Sequence, residues 1–259
     1  MRVLVVAAHP DDETIGLGGQ FPRLCDLILW HVTDGAPRNG RDAATQGFAT
    51  RGAYAEARRR ELAAALRLAG RDPSCARSLG IPDQEAAYHL PEIAHGVAQA
   101  IRSTRPAVVV THPYEGGHPD HDATAFGVHA ALHLLRRVGE ATPPLLEMTS
   151  YHAGPQGIAV GRFLPAEGCM PTLLPLSDEA REHKRRMLAC FATQQAMLRY
   201  FPATEVEPLR VAPAYDFCVP PHPGTLFYEG FDWGMTGAHF RALAARSGAA
   251  LGLGSAPWG

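Results

Sequence analysis

The chain has 259 residues, of which 46% are hydrophobic and 19% charged, and its formal net charge is −2. This composition is typical of a soluble globular protein. The near-neutral charge argues against a surface that neutralises nucleic-acid phosphates or an anionic bilayer. We therefore expect a small-molecule partner, with neither nucleic acid nor membrane involved.

Five cysteines are scattered along the chain without a C-x-x-C pair. An odd number cannot all pair internally, and reduced thiols are typical of a cytoplasmic protein. The apolar run at the N-terminus is too short for a signal peptide, and no run approaches the roughly 20 apolar residues that span a bilayer. The sequence predicts a cytoplasmic protein and leaves open whether it forms a homo-oligomer.

The first elements alternate between strand and helix. Residues 2–8 are an unbroken apolar run that ends at a polar turn, as expected for a strand buried on both faces. Residues 14–25 can form a helix, although three glycines lower its propensity. Residues 26–33 predict a second strand that ends at Asp34-Gly35.

The same alternation continues along the chain. The polar segment 35–50 is longer than a plain connector, which predicts a lid or a substrate loop. Residues 51–68 have apolar residues at helical spacing. Beyond them we predict strands at 75–79, 107–111 and 145–151, and helices at 91–103, 121–138, 178–198 and 236–246.

This element order predicts an α/β fold with a Rossmann-like, doubly wound, mostly parallel sheet and a C-terminal extension. No linker or repeat marks a second domain, so we expect one domain over 1–259, with a core at about 1–151 and the extension at about 152–259. In such sheets, ligands bind beyond the carboxyl ends of the strands, where the strand order reverses.

Two clusters of histidine and aspartate follow predicted strands. HPDDE at 9–13 comes directly after the first strand, and HPDHD at 118–122 follows the fourth. Strand ends at one edge of a parallel sheet meet, so we expect both clusters in one cleft. A catalytic zinc commonly takes three His, Asp or Glu ligands and keeps one position for water. His9, Asp12 and His121 would supply such a set.

The motifs resemble those of the PIG-L/LmbE-like deacetylases, which act on N-acetylglucosaminyl and related substrates. The resemblance is carried by AHPDDE at 8–13, the R-x-x-E-L segment at 58–62, GIPD at 80–83 and HPDH at 118–121. It is strongest over residues 3–135. It implies a hydrolase that removes an acetyl or other acyl group from the amide nitrogen of an N-acetylated small molecule.

The resemblance also implies a metal and a base. Zn²⁺ would be held by His9, Asp12 and His121, with another divalent ion such as Fe²⁺ as an alternative. Asp11 would be the general base. A bound zinc lowers the pKa of water towards about 7, so hydrolysis can proceed at neutral pH.

Further roles follow from the same resemblance. A cationic His118 would stabilise the oxyanion or donate a proton, with Asp120 orienting it. Arg58 and Asp83 would bind substrate hydroxyls. One feature departs from the family, since some members carry a tyrosine where this chain has Gly116.

Other interpretations stay open. Either cluster alone could consist of turn residues and helix caps. An amidase acting on a non-sugar amide or a thiol conjugate would use the same chemistry. A catalytically silent domain that binds metal or sugar would be expected to lack a ligand or the base. Phosphoryl transfer would favour a spaced D-x-D pattern over the adjacent Asp11 and Asp12.

Several other residues are weaker candidates. His152 and His222 are candidate cleft residues, and Tyr114 could take the place of the missing tyrosine. His129 and His133 are spaced i, i+4 on a predicted helix. No carboxylate accompanies them in a metalloprotease pattern, so they indicate a solvated helix face and not a metal clamp.

Overall fold

Strands and helices alternate in the structure, a computed structural model that describes residues 1–254 and 258. None of the helices it describes is both long enough and apolar enough to cross a membrane. The strands are β1 (Arg2–Ala7), β2 (Asp26–Pro37), β3 (Ala76–Asp83), β4 (Val108–Thr111), β5 (Leu145–Met148), β6 (Tyr151–Gly154), β7 (Gly157–Val160), β8 (Thr172–Pro175) and β9 (Val206–Val211). The helices are α1 (Asp12–Leu17), α2 (Arg41–Thr45), α3 (Arg51–Leu68), α4 (Leu90–Thr104), α5 (Pro119–Arg137), α6 (Asp178–Leu188), α7 (Gln195–Leu198) and α8 (Gly237–Ala250).

A seven-stranded sheet with the order β3-β2-β1-β4-β5-β9-β8 forms the centre of the molecule. The first five of these strands are parallel, and β9 and β8 are antiparallel to their neighbours. The chain moves outward from β1 to β3 and then returns to place β4 beside β1. The strand order therefore reverses between β1 and β4, which confirms the predicted doubly wound, mostly parallel sheet.

Apolar layers cover both faces of this sheet. Leu4 and Val6 of β1 belong to a core formed with α4, α5 and α8, whereas Val3 and Val5 pack with α3 and α6 on the other face. A parallel strand enclosed on both faces needs apolar residues at every position, not at every second one. The unbroken run at the N-terminus has this pattern for that reason.

Some predicted boundaries were wrong where glycine occurs. β2 continues past Gly35 to Pro37, because Gly35 adopts a φ of +68° and the pairing with β3 shifts register nearby. β3 likewise continues through Gly80, whose φ is +73°. Glycine accepts such angles without strain, so a strand can continue through a bulge. The first helix ends at Leu17, and a 3₁₀ turn follows over Gly18–Arg23.

The C-terminal half differs more from the prediction. The single strand expected at 145–151 is divided between β5 and β6, which belong to different sheets. The helix expected at 178–198 ends at Leu188 and is followed by the short α7. The strands β7, β8 and β9 had no counterpart in the prediction. β8 and β9 extend the main sheet, so the C-terminal half contributes directly to the central core.

A buried lysine links the C-terminal half of the chain to the N-terminal half. Lys184 of α6 donates from Nζ to the carbonyl of Ile15 and to Glu207 Oε1, both at 2.6 Å. The same Glu207 oxygen accepts the backbone N–H of Gly19 at 2.9 Å. Because Lys184 and Glu207 are both buried, each charge needs the other to offset its desolvation.

A second buried cluster lies where β5 and β9 pair. Arg210 donates from Nε to Glu147 at 2.7 Å and from an Nη atom to the carbonyl of Leu164 at 2.7 Å. Glu115 accepts the N–H of Leu164 at 2.6 Å. Burial raises the pKa of Glu115 to about 8 and that of Glu147 to about 7, although Arg210 opposes both shifts.

Replacing Glu115 should therefore change how stability depends on pH. Since its folded-state pKa lies above the unfolded value of about 4.3, its contribution to stability is complete below that value and is lost as pH rises through about 8. Glu115→Gln cannot ionise and still accepts the Leu164 N–H. Between pH 5 and 9, the free energy of unfolding measured in urea should fall less steeply with pH for this variant than for the wild type. Exposed Glu182→Gln is the control, and equal slopes for all three proteins would contradict the prediction.

Candidate active site

The two motifs meet at the point where the strand order reverses. His9 Nε2 lies 3.2 Å from Asp120 Oδ2, and His121 Nε2 lies 3.2 Å from Asp12 Oδ1. All four side chains are buried. His9, Asp12 and His121 line a cavity of about 620 Å³ together with residues from the C-terminal half. The structure thus brings both sequence motifs into one cleft, as their positions after β1 and β4 predict.

Three of the predicted residues can converge on a divalent cation. One donor atom each from His9, Asp12 and His121 lies within 4.8 Å of the others. His9 Nδ1 is 3.1 Å from Asp12 Oδ2. Two imidazoles and one carboxylate are a donor set that suits zinc, so these residues fit the predicted ion.

A second group of possible ligands shares His9. It consists of His9, Asp83, His118 and Asp120, which also offer donor atoms within 4.8 Å of one another. The two groups use opposite sides of the His9 ring. Nδ1 faces Asp12, whereas Nε2 lies 3.1 Å from Asp83 and 3.2 Å from Asp120.

Asp120 lies closer to His9 than to His118, the residue it was predicted to orient. Its Oδ2 atom is 3.2 Å from His9 Nε2 but 4.0 Å from His118 Nδ1. Its carboxylate also accepts backbone N–H groups of Gln84 at 2.6 Å and Ala86 at 3.0 Å. The loop after β3 therefore turns this side chain towards His9.

The surroundings of His118 and His9 shift the pKa values of the two imidazoles in opposite directions. Burial, followed by the nearby His9, holds the pKa of His118 well below its usual range. Burial alone would lower the pKa of His9 as well, but Asp83 and Asp12 together hold it well above its usual range.

The predicted base, Asp11, has an unusual backbone. Its φ of 129° is rare for a residue other than glycine and indicates strain held by the surroundings. Its N–H donates to Glu13 at 3.1 Å, and its carboxyl group lies 3.3 Å from an Nη atom of Arg58. Burial raises the pKa of Asp11 to about 8, although Arg58 opposes the shift. Its side chain lines the cavity beside Asp12.

Arg58 and Asp83, the two predicted substrate binders, also line the cavity. The Arg58 guanidinium is already engaged, because it donates to the carbonyls of Pro10 at 2.7 Å and Gly35 at 3.0 Å and faces Asp11. Only 2% of Arg58 is exposed. These contacts favour a role in holding the turn at Asp11 over direct binding of a hydroxyl group.

Removing this guanidinium should destabilise the protein. Arg58→Met would leave two buried carbonyls without donors and the Asp11 carboxyl without its cation. We expect the free energy of unfolding to fall by about 3 kcal/mol, as when one partner of a buried ion pair is removed. Urea unfolding measures the change. The matched control, exposed Arg59→Met, should alter stability by less than about 0.5 kcal/mol, and a similar effect for both variants would contradict the assignment.

Four supporting residues had no assigned role in the sequence analysis. Glu13 Oε2 contacts His31 Nε2 at 2.9 Å. The His112 ring stacks on His121 with centroids 4.0 Å apart, and Ser150 Oγ is 3.3 Å from His121 Nδ1. Two of them could have been recognised from the sequence as polar residues within or next to apolar strands, because His31 interrupts an apolar run and His112 directly follows one.

The weaker candidates lie elsewhere. Neither His152 nor His222 is among the described residues that line the cavity. Tyr114 is in the core and donates its hydroxyl to the carbonyl of Val219 at 3.0 Å. Gly116 has a φ of +69°, and a Cβ there would approach Leu226 to 2.7 Å. The departure at Gly116 therefore follows from a tight turn, and Tyr114 does not replace the missing tyrosine at the cavity.

The solvated face predicted for His129 was wrong. His129 is buried, and its Nδ1 atom lies 3.2 Å from the carbonyl of Trp258. Its ring packs against Tyr215 and Phe217. His133, one turn later, is only partly buried. The pair forms no metal clamp, because His129 belongs to the packing between α5 and the C-terminal segment.

Four aromatic residues also line the cavity and form an aromatic wall, namely Tyr151, Phe227, Phe231 and Trp233. Ring centroids are 5.5 Å apart for Tyr151 and Phe227 and 5.3 Å apart for Phe227 and Phe231. Phe231 and Trp233 stack at 4.5 Å with an interplanar angle of 11°. The cavity lining thus combines the polar side chains of the two motifs with apolar ring surfaces.

Comparison with known proteins agrees with this geometry. The family model PIG-L, described as GlcNAc-PI de-N-acetylase, matches residues 4–132, which include both motifs. The 1D-myo-inositol 2-acetamido-2-deoxy-alpha-D-glucopyranoside deacetylase 1 of Saccharopolyspora erythraea is 31% identical over 212 residues, 69% of this chain and 67% of that protein. The chain belongs to the PIG-L family.

Two other proteins resemble this PIG-L family chain over different shares of its length. A probable N-acetyl-alpha-D-glucosaminyl L-malate deacetylase 2 of Bacillus subtilis (strain 168) is 32% identical over 140 residues, 52% of this chain. The match spans 62% of that relative, less than two thirds of its length. The crystal structure of the A40926 pseudoaglycone deacetylase Dbv21 aligns with a TM-score of 0.59 at 24% identity, covering 76% of this chain and 84% of that one. At that identity the likeness shows the fold alone.

Proposed function

We propose that this PIG-L family protein is a zinc-dependent hydrolase that removes the acetyl group from the amide nitrogen of an N-acetylated amino sugar or related glycoconjugate. The observation that carries the proposal is the convergence of His9, Asp12 and His121 beside the Asp11 carboxyl group in one cavity. The activities printed in the names of the relatives, which are deacetylases, support it.

In this proposal His9, Asp12 and His121 hold the ion. When bound, zinc would polarise the amide carbonyl and acidify a water molecule. Asp120 lies within hydrogen-bond distance of His9 Nε2, and Asp83 lies 3.1 Å from the same atom, whereas Nδ1 faces Asp12, the proposed fellow ligand. Such carboxylates behind a histidine commonly fix its tautomer and orientation. Fe²⁺ is an alternative, because imidazole and carboxylate donors suit both metals.

The residues of the chain then divide the proton transfers. Asp11 accepts a proton from the attacking water and returns it to the leaving nitrogen as the C–N bond breaks, and Arg58 positions its carboxyl group. His118 Nδ1 accepts the backbone N–H of Asp120 at 3.1 Å, so neutral His118 carries its hydrogen on Nε2. That N–H can donate to the oxygen on which negative charge develops. Asp83 lines the cavity, where it can accept a hydrogen bond from a substrate hydroxyl.

We also propose that a single domain over 1–259 carries this site, with a core at about 1–151. The participation of β8 and β9 in the main sheet supports one domain. A cytoplasmic location is part of the same proposal. It is supported by the five cysteines, all of which are free thiols in the structure.

Release of acetate from N-acetylglucosamine and its glycosides tests the function. Zinc-loaded protein should produce acetate and free amine in equal amounts, and chelator-treated protein should produce neither. Cleavage of non-sugar amides or thiol conjugates alone would favour the amidase alternative. Binding of sugar with no release from any amide would favour a silent binding domain.

A further inference from the structure

The aromatic wall follows one side of the cavity and lies at both of its ends against histidines of the second motif. The ring of Tyr151 lies 5.3 Å from that of His121, and the ring of Trp233 lies 4.6 Å from that of His118. Phe227 and Phe231 join these two ends. Phe231 is 44% exposed. Ring surfaces are therefore available to the part of a substrate that extends beyond the motifs on this side.

The charges around the cavity are mostly negative or already paired. Arg58 is the one lysine or arginine among the described residues that line it, and its guanidinium is engaged by Asp11 and two carbonyls. Asp42 adds a carboxylate to the lining. Arg41, its neighbour in sequence, lies outside the lining and faces Asp232 at 3.2 Å. Beyond the proposed zinc, the described lining residues offer an anionic group on the substrate no lysine or arginine that lacks a partner.

We infer that the cavity selects amino-sugar conjugates whose second group is neutral and has an apolar face, such as an aryl or neutral glycosyl group, over conjugates with a carboxylate or phosphate there. This inference rests on the proposed deacetylase function. The faces of aromatic rings are electronegative and attract the C–H edges of a sugar or an aryl ring. A carboxylate or phosphate would lose water without gaining a counter-charge.

Three ligands that share one sugar test the inference. They are N-acetylglucosamine, its 4-nitrophenyl glycoside and its 1-phosphate, the last two with the same anomeric configuration. We expect kcat/KM for acetate release from the aryl glycoside to exceed that from the 1-phosphate by about tenfold or more, given the energy of an aromatic contact. An equal or higher kcat/KM for the 1-phosphate would overturn the inference.

Substitutions at Phe231 sharpen the test, because this exposed ring can change without opening the core. Phe231→Ala should lower kcat/KM for the aryl glycoside about fivefold more than it lowers kcat/KM for the free sugar. Phe231→Arg should raise kcat/KM for the 1-phosphate by supplying a cation. Tyr88→Ala removes an aromatic ring of similar exposure outside the cavity lining and is the control. Unchanged ratios in both Phe231 variants would overturn the role of the wall.

Titration calorimetry with the same ligands separates this inference from the proposed function. If no acetate is released from any of them, the deacetylase function fails. Tighter binding of the aryl glycoside than of the 1-phosphate would then still support the selective wall. If acetate is released but the two conjugates bind equally, the function stands and the inference fails.

Discussion

The Asp11→Asn enzyme should release acetate about a thousandfold more slowly than the wild type, the middle of the range for loss of a general base. Asparagine has nearly the shape of aspartate but cannot accept a proton from water at neutral pH. The backbone at Asp11 should be retained, because aspartate and asparagine tolerate positive φ better than most residues. The contact with Arg58 can persist through the amide oxygen.

If Asp11→Asn is slow, its metal content distinguishes the loss of a general base from the loss of a metal ligand. We expect about one zinc per chain in both wild type and variant, because Asp11 is not among the three proposed ligands. Asp42→Asn is the matched control, since Asp42 also lines the cavity but belongs to neither motif, and this variant should keep most of the turnover. Undiminished acetate release by Asp11→Asn would remove Asp11 as the base. Loss of zinc would instead make it a ligand.

The fold could be predicted from the sequence wherever the pattern is local. The apolar run of β1 indicates a strand buried on both faces without any knowledge of its neighbours. α3 was predicted with its observed bounds, Arg51–Leu68, because its apolar residues recur with helical spacing over 18 residues. The meeting of the two motifs followed from topology, since β1 and β4 end at the same edge of the sheet.

The pairing of side chains within the site depends on packing, which the sequence does not display. Asp120 turns towards His9 because the N–H groups of Gln84 and Ala86, 34 to 36 residues away, hold its carboxylate. In the sequence, Arg58 is one of three adjacent arginines on a predicted helix. Only the fold shows that it is buried against the turn at Asp11, whereas the two that follow it are exposed.

The aromatic wall was missed for a different reason. Tyr151 is separated from Phe227, Phe231 and Trp233 by more than 70 residues, and no motif or periodic pattern connects them. Single aromatic residues in irregular segments are common on any surface. These rings could therefore be recognised as one surface only from the fold, in which they line the same cavity.

His121→Ala should lose its zinc under conditions in which the wild type keeps it. Loss of an outer hydrogen-bond partner already lowers metal affinity 10- to 100-fold in other sites, so loss of a ligand should lower it by more than about 100-fold. Metal analysis after dialysis and competition with a chelator measure the affinity. His133→Ala, on the same helix α5 but away from the cavity, should retain about one zinc per chain.

His118→Ala distinguishes between the two groups of possible ligands. If the ion is held by His9, Asp12 and His121, His118→Ala should keep zinc but hydrolyse slowly, because an N–H donor to the developing charge is lost. If the ion is held by the group that includes Asp83 and His118, the outcomes reverse, and His121→Ala retains the metal. The contacts of His9 favour the first result. Its Nε2 atom is within hydrogen-bond distance of Asp120, and a carboxylate in that position would hold the hydrogen on Nε2 and leave Nδ1, on the side of Asp12, to the metal.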